Sequence, residues 1–157
     1  MTPAILALRK AGHAFQVHEY PHNPAVNAYG LEAVEALQLE AARVFKTLLL
    51  SLEGDSKRMA VGIVPVSHQL DMKAFARALG AKKADMADPK QAERMSGYVL
   101  GGISPIAQKK RLPTVLDESA LRFNTIFVSA GKRGLEIELD PELLLSLCDA
   151  NVVALCR

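Results

Sequence analysis

The chain has 157 residues, half of them hydrophobic, which is enough for one domain with a complete core and too short for two comfortable ones. A formal charge of +2 is only mildly basic, so any contact with nucleic acid must come from local clusters, and three Tyr, five Phe and no Trp argue against a base-stacking platform for single strands. Cys148 and Cys156 lack the spacing of a zinc site or a disulfide framework, and no apolar stretch approaches the roughly 20 residues that span a bilayer.

Arg9 and Lys10 follow the apolar residues of the N-terminal segment, the reverse of the order in a signal peptide, so a cytoplasmic protein of one domain over 1–157, with no metal and no membrane contact, is expected. Thr2 and Pro3 open a helix that Gly12 ends. Phe15 to Tyr20 alternates as a half-buried strand would, with Phe15 and Val17 on one side and Gln16, His18 and Tyr20 on the other. Pro21 to Pro24 breaks it. Leu31, Val34 and Leu37 recur at helical spacing, which predicts a helix over Gly30 to Leu39 with Tyr29 at its entrance.

Val44 to Leu52 and Met59 to Val64 are apolar runs joined by Glu53-Gly54-Asp55-Ser56, a hairpin. Asp71 caps a helix that stops at Gly80, and Asp88-Pro89 starts another that ends near Gly97. Tyr98-Val99-Leu100, Thr114 to Leu116, Thr125 to Ser129 and Leu135 to Leu139 read as short strands, the last pair joined by a turn over Ala130 to Gly134. Asp140-Pro141 opens a C-terminal helix through Leu147. Strands outnumber what a doubly wound sheet needs. The expected fold is α/β of the α+β type, a curved, mixed, barrel-like sheet surrounded by helices.

Two features bear on function. Lys46 interrupts an apolar strand, where an ammonium needs a partner or a water-filled cavity, unless it snorkels to the sheet edge. Gly101 to Thr114 joins a double glycine, the rigid Ser104-Pro105 step and the cations Lys109, Lys110 and Arg111. Glycine lets backbone amides approach a ligand, and Pro105 fixes the wall, which suits an anionic ligand. The plainer alternatives are a tight bend and a solvated charged turn. If Lys46, the Gly101 amide and Ser129-Ala130-Gly131 line one cavity, it has donors, a cation and hydroxyls but no evident nucleophile, and would hold an ester better than it would attack one. His13, His18, His22 and His68 show no metal-ligand spacing, and the phosphate-binding and serine-hydrolase glycine motifs are absent.

Val44-Phe45-Lys46-Thr47-Leu48, Gln69-Leu70-Asp71, Leu79-Gly80-Ala81-Lys82-Lys83, Gly97-Tyr98, Gly101 to Thr114 and Val128 to Gly134 together resemble the YbaK family of free-standing aminoacyl-tRNA deacylases, related to the editing domain of bacterial prolyl-tRNA synthetase. The resemblance runs almost end to end. It implies a pocket for the 3′ end of charged tRNA, clearance of cysteine from mischarged Cys-tRNA(Pro), no cofactor, and action beside prolyl-tRNA synthetase. By position it implies Lys46 and Gly101 as catalytic residues; Tyr20, Tyr29, Thr47, Gly102, Ile103, Ser129, Gly131 and Glu136 at the substrate; and Lys109, Lys110, Arg111, Lys132 and Arg133 on tRNA phosphates. Tyr29 stands where Phe is expected, Ala107 and Ala130 where glycines are, and Glu136 where Asp is.

The mechanism so implied has the substrate's cysteine thiol attack its own ester, with water attack as the alternative. The competing class is a binding module that holds tRNA or a nucleotide without cleaving it.

Overall fold

The computed structural model describes residues 1–26 and 28–157. Helix α1 (Pro3–Ala11) is bounded by the cap that the sequence predicts: Thr2 Oγ1 accepts from the Ile5 amide, and Gly12 closes the helix at φ 72°. Strand β1 (Gln16–Glu19) and helix α2 (Tyr29–Leu37) follow. The hairpin is β2 (Phe45–Leu52) and β3 (Asp55–Pro65), turned at Glu53 and Gly54, both with positive φ. Next come α3 (Met72–Ala78), β4 (Ala84–Met86), α4 (Pro89–Ser96), β5 (Thr114–Asp117), β6 (Ile126–Lys132), β7 (Leu135–Leu139), α5 (Pro141–Cys148) and β8 (Asn151–Val153). Asp71, Asp88 and Asp140 each accept a first-turn amide of the helix that follows.

These strands form two open sheets, not one closed barrel. The larger is mixed, ordered β4-β2-β3-β5-β8, with β4, β2 and β3 antiparallel and β3, β5 and β8 parallel. The smaller is antiparallel, ordered β1-β7-β6. Among the described residues, the one strand-type bridge between them joins Val44 and Phe127, and the β6–β7 ladder carries a bulge between Ser129 and Lys132. The barrel-like expectation is corrected accordingly.

β2 is covered on both faces, which explains its nearly continuous apolar run. Phe45 and Leu49 enter the core shared with Ile63, Leu116, Val128, Ile137 and Leu144, whereas Leu50 and Leu52 enter a second core with Val64, Phe75 and Leu155.

The local structure departs from and adds to the expectation. Tyr98 to Leu100 is a turn rather than a strand; the Tyr98 ring is buried and its hydroxyl donates to the Ile106 carbonyl at 2.6 Å. β4 and β8 are additional three-residue strands, too short for a periodic signal. Beside β1, Phe15 packs against the core, while Val17 is exposed and His18 lies 5.4 Å from the Phe127 ring. α2 begins at Tyr29, so that ring is part of the helix and not ahead of it.

Candidate functional site

The seam between the sheets leaves a cavity of about 400 Å3 at the Phe45 end of β2. Lys46 and Thr47 reach it on adjacent positions of one strand, since the cavity opens around the sheet edge. Tyr29, Gly101, Ile103, Ser129 and Glu136 complete the wall, with Tyr20 and Lys132 at one side. Lys46 is half-buried and, among the described residues, makes no ion pair. Thr47 Oγ1 is buried without a hydrogen-bond partner, an orphan that a ligand would satisfy.

Gly101 sits at φ 86° with the Tyr29 ring pressed on it, so that an added Cβ would lie 2.6 Å from the ring and 2.8 Å from Arg133 Nε. Arg133 locks this corner. Its guanidinium lies 4.4 Å from the Tyr29 ring centroid, and Nε and Nη2 donate to the Leu100 carbonyl at 3.0 and 2.7 Å. Gly102 packs flat on the backbone of Lys132 and Arg133, and its amide donates to the Val99 carbonyl at 2.9 Å. Gly102 therefore supports the loop while Gly101 faces the cavity. Gly131, at φ 103°, makes room for the Tyr98 ring, and its amide donates to Ser129 Oγ at 3.2 Å. Gly131 and Arg133 thus stand behind the wall rather than in it.

Lys109, Lys110 and Arg111 do not line this cavity. The amides of Lys109 and Lys110 donate to Ser96 and Met95 at the end of α4, and Arg111 lies toward Cys148. No motif announces the contacts that tie residues 22–23 to α2: His22 Nδ1 lies 2.6 Å from Glu32 Oε1, the Asn23 amide donates to Glu32 Oε2 at 2.9 Å, and the His22 ring is 6.1 Å from Tyr29. Burial opposes ionisation of Glu32, yet the hydrogen bonds from His22 and Asn23 hold its carboxyl below the usual range. Also missed were the apolar contributors Val66 and Leu100, which carry no motif, and Gly30, where a Cβ would collide with Val66.

Burial pushes the Glu136 carboxyl up to about 8, and burial together with Glu136 pushes the Tyr20 hydroxyl up to about 12. The proton on Glu136 carries a stability consequence. In the unfolded chain it leaves near the ordinary value of 4.5 and in the fold only near 8, so the stabilisation is complete below pH 4.5 and is lost as pH rises to about 8. Glu136→Gln is expected to remove this slope: between pH 4.5 and 8.5 its stability should gain on the parent by on the order of 4 kcal/mol, read from denaturant midpoints. Parallel profiles would show that the carboxyl is solvated.

Among the described residues, the cavity lacks an activated nucleophile. Ser129 Oγ serves Gly131, His18 pairs with Glu138 at 2.9 Å, and His22 with Glu32. Ser104 is fully buried outside the cavity, accepting from the Ile106 amide, and Cys148 is pushed up to about 12 by burial. Among the described residues, no three His, Cys, Asp or Glu side chains cluster as a metal site would require. What remains among the described residues is Lys46, the Gly101 loop, the hydroxyls of Tyr20, Tyr29, Thr47 and Ser129, and the Glu136 carboxyl that burial favours in its neutral form.

The aminoacyl-tRNA editing domain model matches residues 23–147. Over 140 residues, covering 88% of this chain and 84% of the other, the sequence is 42% identical to EbsC of Enterococcus faecalis (strain ATCC 700802 / V583), named as a candidate Cys-tRNA(Pro)/Cys-tRNA(Cys) deacylase. A crystal structure described as a candidate trans-editing enzyme for prolyl-tRNA synthetase superposes with a TM-score of 0.85 at 26% identity, over 99% of this chain and 95% of that one. The hypothetical protein APE2540 shares the fold, with a TM-score of 0.87 at 17% identity over 99% of this chain and 100% of its own. With most of its length matched by the family model and a relative well above 30% identity, the chain belongs to the aminoacyl-tRNA editing domain family.

Proposed function

We propose that this protein is a trans-editing deacylase that removes cysteine from mischarged Cys-tRNA(Pro), acting beside prolyl-tRNA synthetase. The observation that carries the reading is a cavity with Lys46, Gly101 and the unpartnered Thr47 hydroxyl but no nucleophile of its own, in a chain 42% identical to a candidate Cys-tRNA deacylase. In this reading the terminal ribose sits at the mouth, the cysteinyl group points at Thr47, Ser129 and Glu136, and Lys46 with the Gly101 amide faces the ester oxygen. Lys132 stands at the rim toward the tRNA phosphates, and Arg133 braces the wall behind it.

The missing nucleophile is supplied by the substrate. The cysteine sulfur attacks its own ester carbonyl, a carbon–sulfur bond closes a four-membered thiolactone, the bond to the ribose oxygen breaks, and the thiol proton ends on that oxygen. Water then opens the thiolactone in solution. Holding sulfur against carbon replaces roughly 7 to 11 kcal/mol of barrier, and each donor to the developing oxyanion adds on the order of 3 kcal/mol. Lys46 as an ammonium supports that charge and takes no proton.

The test is ester loss from Cys-tRNA(Pro) beside Ser-tRNA(Pro), which has the same shape and an oxygen for the sulfur. Cysteine should be released at least tenfold faster. Equal rates would transfer the attack to a bound water, and binding without release of either would make the protein a binding module.

A further inference from the structure

Next to the ester cavity lies a second, more open depression of about 760 Å3. Tyr20 and Lys132 line both, so the two adjoin and this pair marks the bend between them. The far bank is α1, from which Arg9 reaches the depression; Ile5, Val17 and Leu135 give it an apolar lining. Arg9 and Lys132 are exposed, and the Arg9 guanidinium touches nothing more polar than the Met1 thioether, at 3.3 Å. Glu19 is the carboxylate of this lining. Arg133 also lines the depression, but its donors are spent on Leu100 and its face on Tyr29, so it shapes the bend.

Lone cations over an apolar lining, with an aromatic ring at the bend, match the chemistry of a short single strand: phosphates need cations and bases need flat apolar surface. A strand whose 3′ ribose occupies the mouth of the ester cavity meets, past Tyr20 and Lys132, the adjoining depression. Resting on the deacylase reading, we propose that the trough under α1 is the subsite for the unpaired nucleotides preceding the terminal adenosine, with Arg9 and Lys132 on their phosphates and Tyr20 and Val17 against a base.

The experiment compares two substrates, Cys-tRNA(Pro) and the cysteinyl ester of adenosine alone, with the parent, Arg9→Glu, Lys132→Ala and the control Lys57→Ala. Lys57 lies at the far end of the β2–β3 hairpin, exposed and outside both cavities. On the tRNA, kcat/KM should fall about tenfold or more for Arg9→Glu and severalfold for Lys132→Ala. The slope of log kcat/KM against log salt should become shallower by about 0.7 for each lost contact. On cysteinyl-adenosine Arg9→Glu should match the parent, and Lys57→Ala should match it on both substrates. Unchanged tRNA kinetics, equal losses on the two substrates, or a loss seen only when prolyl-tRNA synthetase is present would each overturn the subsite; the last would assign the trough to a protein partner. A parent that cleaves neither substrate would instead remove the deacylase reading beneath it.

Discussion

Lys46→Ala is expected to lower the rate of cysteine release from Cys-tRNA(Pro) by about 10²- to 10³-fold, the loss typical of one preorganised donor at a developing oxyanion, while leaving the fold intact. The expectation follows from where β2 places the side chain. Phe45 and Leu49 anchor one face of the strand and Leu50 and Leu52 the other, so the backbone at Lys46 cannot shift to recruit a substitute. No described carboxylate pairs with the ammonium, so its charge is not spent inside the protein. A half-buried cation without a partner costs stability, and its removal should leave the denaturant midpoint equal or higher. A variant that loses activity together with stability would mark Lys46 as structural, and one with full activity would place the reacting ester elsewhere.

Gly101→Ala has a different signature, because it should damage stability and rate together. An L residue held at φ 86° costs about 1–2 kcal/mol on backbone grounds alone. The new methyl would also lie 2.6 Å from the Tyr29 ring, which must leave the wall and take its Arg133 stack with it. A shift of this size at a positioning wall costs on the order of 10²-fold in rate. Gly12→Ala is the control: its φ is 72° but nothing lies within 4 Å, so it should show the backbone cost without a kinetic one. If the two variants behaved alike, the close approach of Tyr29 to Gly101 would carry no function. Ala107, where a glycine is expected from the resemblance, tolerates φ 56° in this chain, so positive φ by itself is survivable.

The parts of this architecture that were readable in advance are those encoded by neighbours in the chain. Thr2, Asp71, Asp88 and Asp140 cap because a short oxygen side chain meets the next turn's amides, whatever the rest of the protein does. Lys46 stood out because a charge inside a two-faced apolar strand is locally anomalous, and the structure sets it in a cavity. Tyr20, Tyr29, Thr47, Gly101, Ile103, Ser129 and Glu136 share that cavity, although they come from four separate stretches that only the resemblance joined.

What escaped depends on distant partners. Nothing in Phe15 to Tyr20 says which side meets Phe127: Phe15 packs against the core, Val17 on the same side is exposed, and His18 from the other side faces the Phe127 ring. Tyr98-Val99-Leu100 has strand composition, but the Ile106 carbonyl claims the Tyr98 hydroxyl and the segment becomes the support of the Gly101 wall. Closure of a barrel depends on whether the edge strands of the two sheets pair, and among the described residues they meet at a single bridge, Val44 to Phe127.

The most direct test of the central claim is single-turnover ester loss from Cys-tRNA(Pro) and Pro-tRNA(Pro), each with the parent protein and with Lys46→Ala. Rapid loss of cysteine but not proline, abolished in the variant, is the predicted result. Equal loss of both amino acids, or cysteine release that persists in Lys46→Ala, would contradict an editing site built around this lysine.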